Sequence, residues 1–295
     1  MQKYLEIFLN SFGQYWGYLK QEVLISYAYK PWYENYFYWL ILVSLAVWGL
    51  ELLFPWRKNQ SAIRKDFWLD GFYMFFNFFI FNLIAFIALS NTFEQVFKDA
   101  LGIESFAIID ISGLSKPVQL LIFFIITDFI QWLTHIMLHR VPFLWEFHKV
   151  HHSVEEMGFA AHLRYHWMET VVYKSVLYLP VAMLGGFGIE DVFIVHFVAI
   201  LIGHLNHANI HITYGPLKYL FNNPVMHLWH HAMDLPEDHR YGVNFGISLS
   251  IWDYIFRTNY IPKDDGEIRL GFPGLARFPK KFFGQILHGF GRTEK

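Results

Sequence analysis

Long apolar stretches alternate with short polar links along this chain. Over residues 3–25, Leu5, Phe8, Phe12, Trp16, Leu19 and Val23 recur on one face of a helix. The stretch has no long apolar core and no small-residue cleavage site, so it does not read as a signal peptide. It reads as a helix lying in a membrane interface, or equally as an amphipathic helix packed on the rest of the protein. Residues 36–55 and 67–89 are each long enough to cross a bilayer, which takes roughly 20 apolar residues. Asp70 and Asn77 are the strongly polar exceptions in the second stretch. Residues 117–138 form a third span, opened by Pro117, which suits a helix start. Asp128 inside it should face protein rather than lipid. Residues 170–203 are apolar but broken by Pro180, Gly185, Gly186 and Gly188, which predicts a helical hairpin, either spanning or partly inserted. Residues 205–295 are more polar and read as a cap of short helices.

The links set an orientation. Arg57, Lys58, Arg64 and Lys65 lie between the first two spans, whereas residues 90–116 carry Glu94, Asp99, Glu104 and Asp110 against Lys98 and Lys116. Positive charge marks the cytosolic side, so the third span should also end in the cytosol. A bacterial inner membrane and the endoplasmic reticulum fit equally.

Composition strengthens the membrane reading. The chain is 55% apolar and only 16% charged, whereas soluble domains have about 25% charged residues. Its net charge of −2 gives no electrostatic case for nucleic acid. It has no cysteine, which excludes disulfides, thiolate-bound zinc, iron–sulfur clusters and a cysteine nucleophile.

Histidine goes the other way, with 16 copies, most of them between His135 and His231. His135 and His139 are four apart, one helix face at the end of the third span. His148, His151 and His152 form an H-x2-H-H box, and His227, His230 and His231 repeat it. His207 and His211 are again four apart, with His204 one turn earlier. These ten imidazoles are too many for one ion and suit two, each with an open position. Spacing alone does not choose among Fe, Zn, Cu and Ni. For His204 a core role competes with a place beside the metal, and for His196 a packing role is the simpler reading.

At these residues the sequence resembles the fatty acid hydroxylase superfamily, also called the sterol desaturase-like family, over roughly residues 117–260. The likeness extends to Arg164-Tyr-His166-Trp-Met-Glu169, with Trp167 where the family usually has Pro, to Asn244-Phe-Gly246 and to Trp252-Asp253. The resemblance implies an oxygen-dependent lipid hydroxylase or desaturase with a di-iron centre. It carries metal ligation to His135, His139, His148, His151, His152, His207, His211, His227, His230 and His231. Arg164, His166 and Glu169 match by position only. No fused cytochrome segment is seen, so electrons should come from a separate redox partner protein.

The expected architecture is all-α, a polytopic membrane protein with about four to five membrane-embedded helices and a cytosolic helical cap holding the histidine-rich di-metal site. Residues 1–35 would be an interfacial helix, 36–116 the first two spans and loop, 117–260 the catalytic domain and 261–295 a cytosolic tail. The substrate would be a fatty acyl lipid, a sterol or a related lipid. Acceptors that orient metal-bound rings should lie nearby; candidates are Asp128, Glu169, Asp234 and Asp253, with Arg164, His166 and His204. Three alternatives stand beside hydroxylation. One is desaturation at the same site. Another is a membrane zinc hydrolase, although the chain has neither H-E-x-x-H nor H-x-x-E-H. The last is a non-catalytic metal-binding protein.

Overall fold

The apolar stretches fold as helices in the computed structural model, which describes residues 2–261 and 268–290. The N-terminal helix α1 spans Gln2–Leu19 and continues as a π turn over Lys20–Leu24. α2 spans Tyr36–Leu53, and the Asn35 side chain caps it by accepting from the Tyr38 amide at 3.1 Å. α3, Phe67–Phe75, runs through a π segment, Phe76–Phe86, into α4, Ile87–Leu101.

The link expected over residues 90–116 is therefore helical as far as Leu101. Glu94 and Lys98 pair at 2.7 Å one turn apart on α4, which supports that extension. α1 lies antiparallel against α4: Lys3 pairs with Asp99 at 2.6 Å, and Asn91 donates to Ser11 at 3.1 Å. The outer face of α1 still shows Leu5, Leu9, Phe12 and Trp16.

β1, Ile109–Asp110, precedes α5, Lys116–Arg140, and α6, Pro142–His152. α7, Trp167–Ala182, and α8, Ile189–His207, form the hairpin, with β2, Leu184–Gly185, at its tip. β1 and β2 pair in parallel, and single antiparallel bridges join Phe221 to Leu249 and Ala232 to Leu270; these are departures from the all-helical expectation. Gly186, just after β2, has φ +101°, and a Cβ on it would meet the Ser112 amide nitrogen at 2.7 Å. Lys116 and Asp191 pair at 2.9 Å beside the tip. The hairpin thus reaches the level of the α5 start, while α5 carries His135 and His139 at its other end.

The remaining helices are short: α9, Pro224–His230; α10, Ile251–Phe256; and α11, Phe282–Ile286. The expected tail over residues 261–295 lies partly outside the described residues.

α2 and α5 are long and apolar enough to cross a membrane. α2 buries only Val43 and Val47, so most of its apolar surface faces outward. Among the described residues, these are the two helices that meet that length and apolarity together. Asp70 is fully buried on α3, paired with Arg64 and Arg164. These charges tie the second apolar stretch to the chain that follows α6.

Candidate metal centre

Four helices deliver nine of the ten predicted imidazoles to one place. His135, His139, His148, His152 and His230 form one group, and His151, His207, His227 and His231 form a second. In each group one ligand atom from every residue lies within 4.8 Å of all the others. On an α-helix, residues i and i+4 point about 40° apart, while i+3 falls on the other side of i. Each H-x2-H-H box divides accordingly.

Backbone carbonyls fix the tautomers. Nδ1 of His135 donates to the Phe245 carbonyl at 2.8 Å, and Nδ1 of His230 to Val243 at 2.8 Å. Nδ1 of His151 donates to Arg164 at 2.9 Å, and Nδ1 of His207 to Gly203 at 2.8 Å. A carbonyl oxygen only accepts, so these Nδ1 atoms carry the proton and the Nε2 atoms present bare lone pairs. His148 Nδ1 faces Glu169 Oε2 at 2.8 Å.

The Nε2 atoms nonetheless crowd one another. His135 and His148 approach to 3.2 Å, His207 and His151 to 3.3 Å, and His207 and His227 to 3.0 Å. Facing lone pairs repel unless a cation lies between them. Two nitrogens bound to one ion at about 2.0–2.1 Å stand roughly 3.0–3.4 Å apart. Nε2 of His139, His152 and His230 and both ring nitrogens of His231 are buried without a hydrogen-bond partner. The donor set fits two metal ions.

Burial, and after it the neighbouring imidazoles, holds His148, His152, His227, His230 and His231 well below the ordinary histidine range. Burial likewise pushes His151 down to about 4. The rings are neutral at ordinary pH, which is the form that ligates a metal.

The structure does not bring His211 to either group. α8 ends at His207 and the chain turns extended at Ala208, so the i, i+4 relation is broken. His211 is exposed and packs edge-on against Trp56, with ring centroids 4.9 Å apart.

The candidate acceptors separate into different jobs. Glu169 touches a ring directly. Asp253 is buried and accepts from Trp132 Nε1 at 3.0 Å, the Phe245 amide at 2.9 Å and the Gly246 amide at 2.8 Å. It therefore holds the loop whose Phe245 carbonyl holds His135. Asp128 accepts from the Ser248 amide at 3.0 Å and from Trp252 at 2.9 Å, pinning the same loop to α5. Arg164 supplies its carbonyl to His151, while its guanidinium pairs with Asp70.

Three candidates lie further off. His166 donates to the Ile286 carbonyl at 2.8 Å and anchors α11. Asp234 sits in an exposed ion pair with Arg269, 2.8 Å apart. His204 lies between Ser44 Oγ at 3.0 Å and His162 Nδ1 at 3.2 Å.

His162 escaped the sequence reading because no spacing rule joins it to a box. Its ring lies 5.1 Å from that of His207, and it lines a cavity of about 240 Å³ that begins at the histidines. The cavity extends between α7 and α8, past Phe78, Ala199 and Ile200, to His196, Tyr173 and Lys174.

Residues 120–258, which contain both histidine groups, match the family model described as fatty acid hydroxylase. The chain is 30% identical over 175 residues to an ornithine lipid hydroxylase of Rhizobium tropici, covering 59% of this chain and 51% of that protein. It is 29% identical over 132 residues to an alkylglycerol monooxygenase of Caenorhabditis elegans, covering 44% of this chain and 25% of that one. The alkylglycerol monooxygenase of Homo sapiens is 32% identical over 139 residues, covering 46% and 29%. The chain thus spans about half the length of the first of these relatives and less of the others. No solved structure matches it.

Proposed function

Residues 120–258 belong to the fatty acid hydroxylase family, and from that premise we propose that the chain is a membrane-bound di-iron oxygenase that hydroxylates a lipid. The observation that supports this reading most is the convergence of nine neutral imidazoles in two groups at the head of one cavity. The relatives named as hydroxylases and monooxygenases point to the same reaction class.

The hydroxylation joins one oxygen atom of dioxygen to a substrate carbon and reduces the other to water. It consumes two electrons and two protons from outside the site. An unactivated C–H bond resists acids, bases and nucleophiles, so iron bound by the nine imidazoles supplies the redox chemistry, which zinc does not. A separate redox protein is the electron source.

The chain's own groups hold and shield the site. The Phe245, Val243, Arg164 and Gly203 carbonyls and the Glu169 carboxylate orient the rings. Glu169 keeps the proton of His148 on Nδ1, away from the ligating nitrogen. Apolar walls at Phe78, Ala199 and Ile200 exclude water and accept a lipid chain.

In the proposed arrangement α2 and α5 anchor the protein, with the α3 stretch and the hairpin embedded beside them, and the site faces the cytosol. Residues 117–260 act as the catalytic domain, flanked by 1–35, 36–116 and 261–295.

Purified protein loaded with iron should convert a lipid to a product heavier by one oxygen, labelled when the gas is isotopically heavy dioxygen. A product lighter by two hydrogens would identify a desaturase instead. Absence of any oxygen-dependent product across acyl, alkylglycerol and sterol lipids would overturn the reading.

A further inference from the structure

We infer that Asn206 is a substrate-specificity residue whose side-chain oxygen takes a hydrogen bond from the lipid, so that the cavity selects a lipid with a neutral O–H or N–H donor close to the carbon that is oxidised. The inference rests on the cavity being the lipid site proposed above. Asn206 lies in the last turn of α8, next to His207, and both line the cavity. Ala199, Gly203 and Asn206 follow one another at spacings of four and three residues, so they share one helix face, and all three line the cavity. Asn206 therefore ends this wall at the histidines, while about 10 Å back along α8 the same wall is apolar at Ala199. That order suits a molecule whose polar group sits near the metal centre and whose hydrocarbon runs away from it.

The Asn206 side chain is held in one orientation and is only 1% exposed. Its Nδ2 donates to the Ile247 carbonyl at 2.8 Å. A carbonyl only accepts, so a flipped amide would set two oxygens face to face. The loop that carries Ile247 is itself fixed, because Asp128 accepts from the next amide, that of Ser248, at 3.0 Å. Oδ1 is thus turned away from Ile247, and among the described residues no donor reaches it. An amide oxygen buried without a donor is costly, and a ligand that brings the donor recovers that cost. An ether, an ester or a bare hydrocarbon has no such hydrogen to give.

Three other polar side chains that line the cavity discriminate less. Glu169 is committed to His148 at 2.8 Å and to the His166 amide at 3.1 Å. The Thr170 hydroxyl rotates to donate or to accept and tolerates either partner. Gln131, one turn before His135 on α5, offers a donor and an acceptor together. Asn206 presents an acceptor alone, and presents it rigidly. An ammonium would also donate to it, but burying that charge against a neutral oxygen and an apolar wall is unfavourable. A neutral hydroxyl or amide N–H is the donor that fits.

The test uses the metal-loaded full chain and equilibrium competition against a fluorescent alkyl ether. The competitors form two pairs, hexadecanol with methyl hexadecyl ether, and hexadecanamide with N,N-dimethylhexadecanamide. In each pair methylation removes the donor and keeps the oxygen acceptor. Wild type should bind the donor-bearing member of at least one pair about tenfold tighter than its methylated partner, and the pair that shows this identifies hydroxyl or amide as the source. Asn206→Leu should equalise that pair, Asn206→Asp, which keeps an acceptor oxygen, should retain the preference, and so should Gln131→Leu. Equal binding within both pairs by wild type overturns the inference whatever the variants do. A preference that survives in Asn206→Leu assigns the effect to the bulk of the added methyl groups, and one that is lost in Gln131→Leu assigns it to Gln131; either result overturns the inference too. Donor preference in a protein that forms no oxidised lipid would keep Asn206 as a receptor group and defeat the oxygenase reading. Oxygen-dependent hydroxylation with equal binding within both pairs would defeat the role of Asn206 and keep that reading.

Discussion

His151 and His230 hold the same place in their two H-x2-H-H boxes, and each faces the ligand group that its own box-mates do not. His151 joins His207, His227 and His231, while His230 joins His135, His139, His148 and His152. Each of α6 and α9 therefore contributes to both groups, and the two helices are cross-linked twice through the centre. His151→Ala should remove one donor from the four-histidine group and leave the five-histidine group whole. Metal content should fall from about two ions per chain towards about one, with turnover abolished. His230→Ala takes a donor from the larger group and should weaken that ion's retention less. Elemental analysis of both variants after dialysis checks this. Two ions retained in each would sink the assignment.

Glu169 holds His148 by a single contact, Nδ1 to Oε2 at 2.8 Å, in a fully buried pair. Removing the carboxylate frees the ring to rotate and removes the acceptor that keeps its proton off Nε2. Glu169→Ala should weaken metal binding by about 10–100-fold. Glu169→Gln, whose amide oxygen still accepts, should lose less. Chelator competition reads both, and equal affinity in wild type and Glu169→Ala would show that the contact is incidental.

The grouping of the histidine boxes was legible from the sequence because spacing on a helix is geometry: His135 with His139, and His148 with His152, share a face wherever the helix holds. His211 shows the limit of that rule, since α8 stops at His207 and the chain beyond it is extended. The oriented acceptors were mostly invisible. Phe245, Val243, Gly203 and Arg164 act through backbone carbonyls, which no side-chain pattern announces. Asp253 was legible as a candidate, but its job was not, because it works on a loop and not on a ring. The helical continuation to Leu101 was missed because polarity, read as a link, is equally the solvated face of a helix.

Asp253 is the hub of that loop. Its oxygens receive Trp132, the Phe245 and Gly246 amides and, at 2.6 Å, the Thr258 hydroxyl. An asparagine has one acceptor oxygen for four donors, and its amide would face backbone N–H groups. Asp253→Asn should cost about 1–3 kcal/mol per donor left unsatisfied, lowering the melting temperature and loosening His135. Thermal denaturation together with metal content tests it. A variant as stable as wild type would contradict the role.

His166 gives a pH dependence of known sign. Burial pushes it down to about 4, against an ordinary value of 6.5. The unfolded chain therefore binds the proton first, and the neutral ring's contribution is present above about 6.5 and lost as pH falls towards 4. Protonation also removes the Nδ1 lone pair that accepts the Met168 amide at 3.0 Å. Because His166 and Trp167 both donate to the Ile286 carbonyl, acidification should release α11 to protease. His166→Gln should flatten that dependence between pH 6.5 and 4. An α11 equally protected at both ends of the range would refute it.

Gly203 and His162 form a steric pair on which the second ligand group leans. A Cβ on Gly203 would collide with His162 Cε1 and Nε2, so an alanine there must displace the ring. The Gly203 carbonyl also takes the Nδ1 proton of His207, so backbone movement at this turn of α8 reaches a predicted ligand directly. Gly203→Ala should cost about 1–3 kcal/mol by overpacking and lower the metal content of the four-histidine group. The double variant Gly203→Ala with His162→Ala relieves the clash and should recover part of both losses. A thermodynamic cycle on the two single variants and the double measures the coupling. Additive losses would mean that the ring moves aside freely, and that His162 is not held against α8 by the tight packing that the glycine permits.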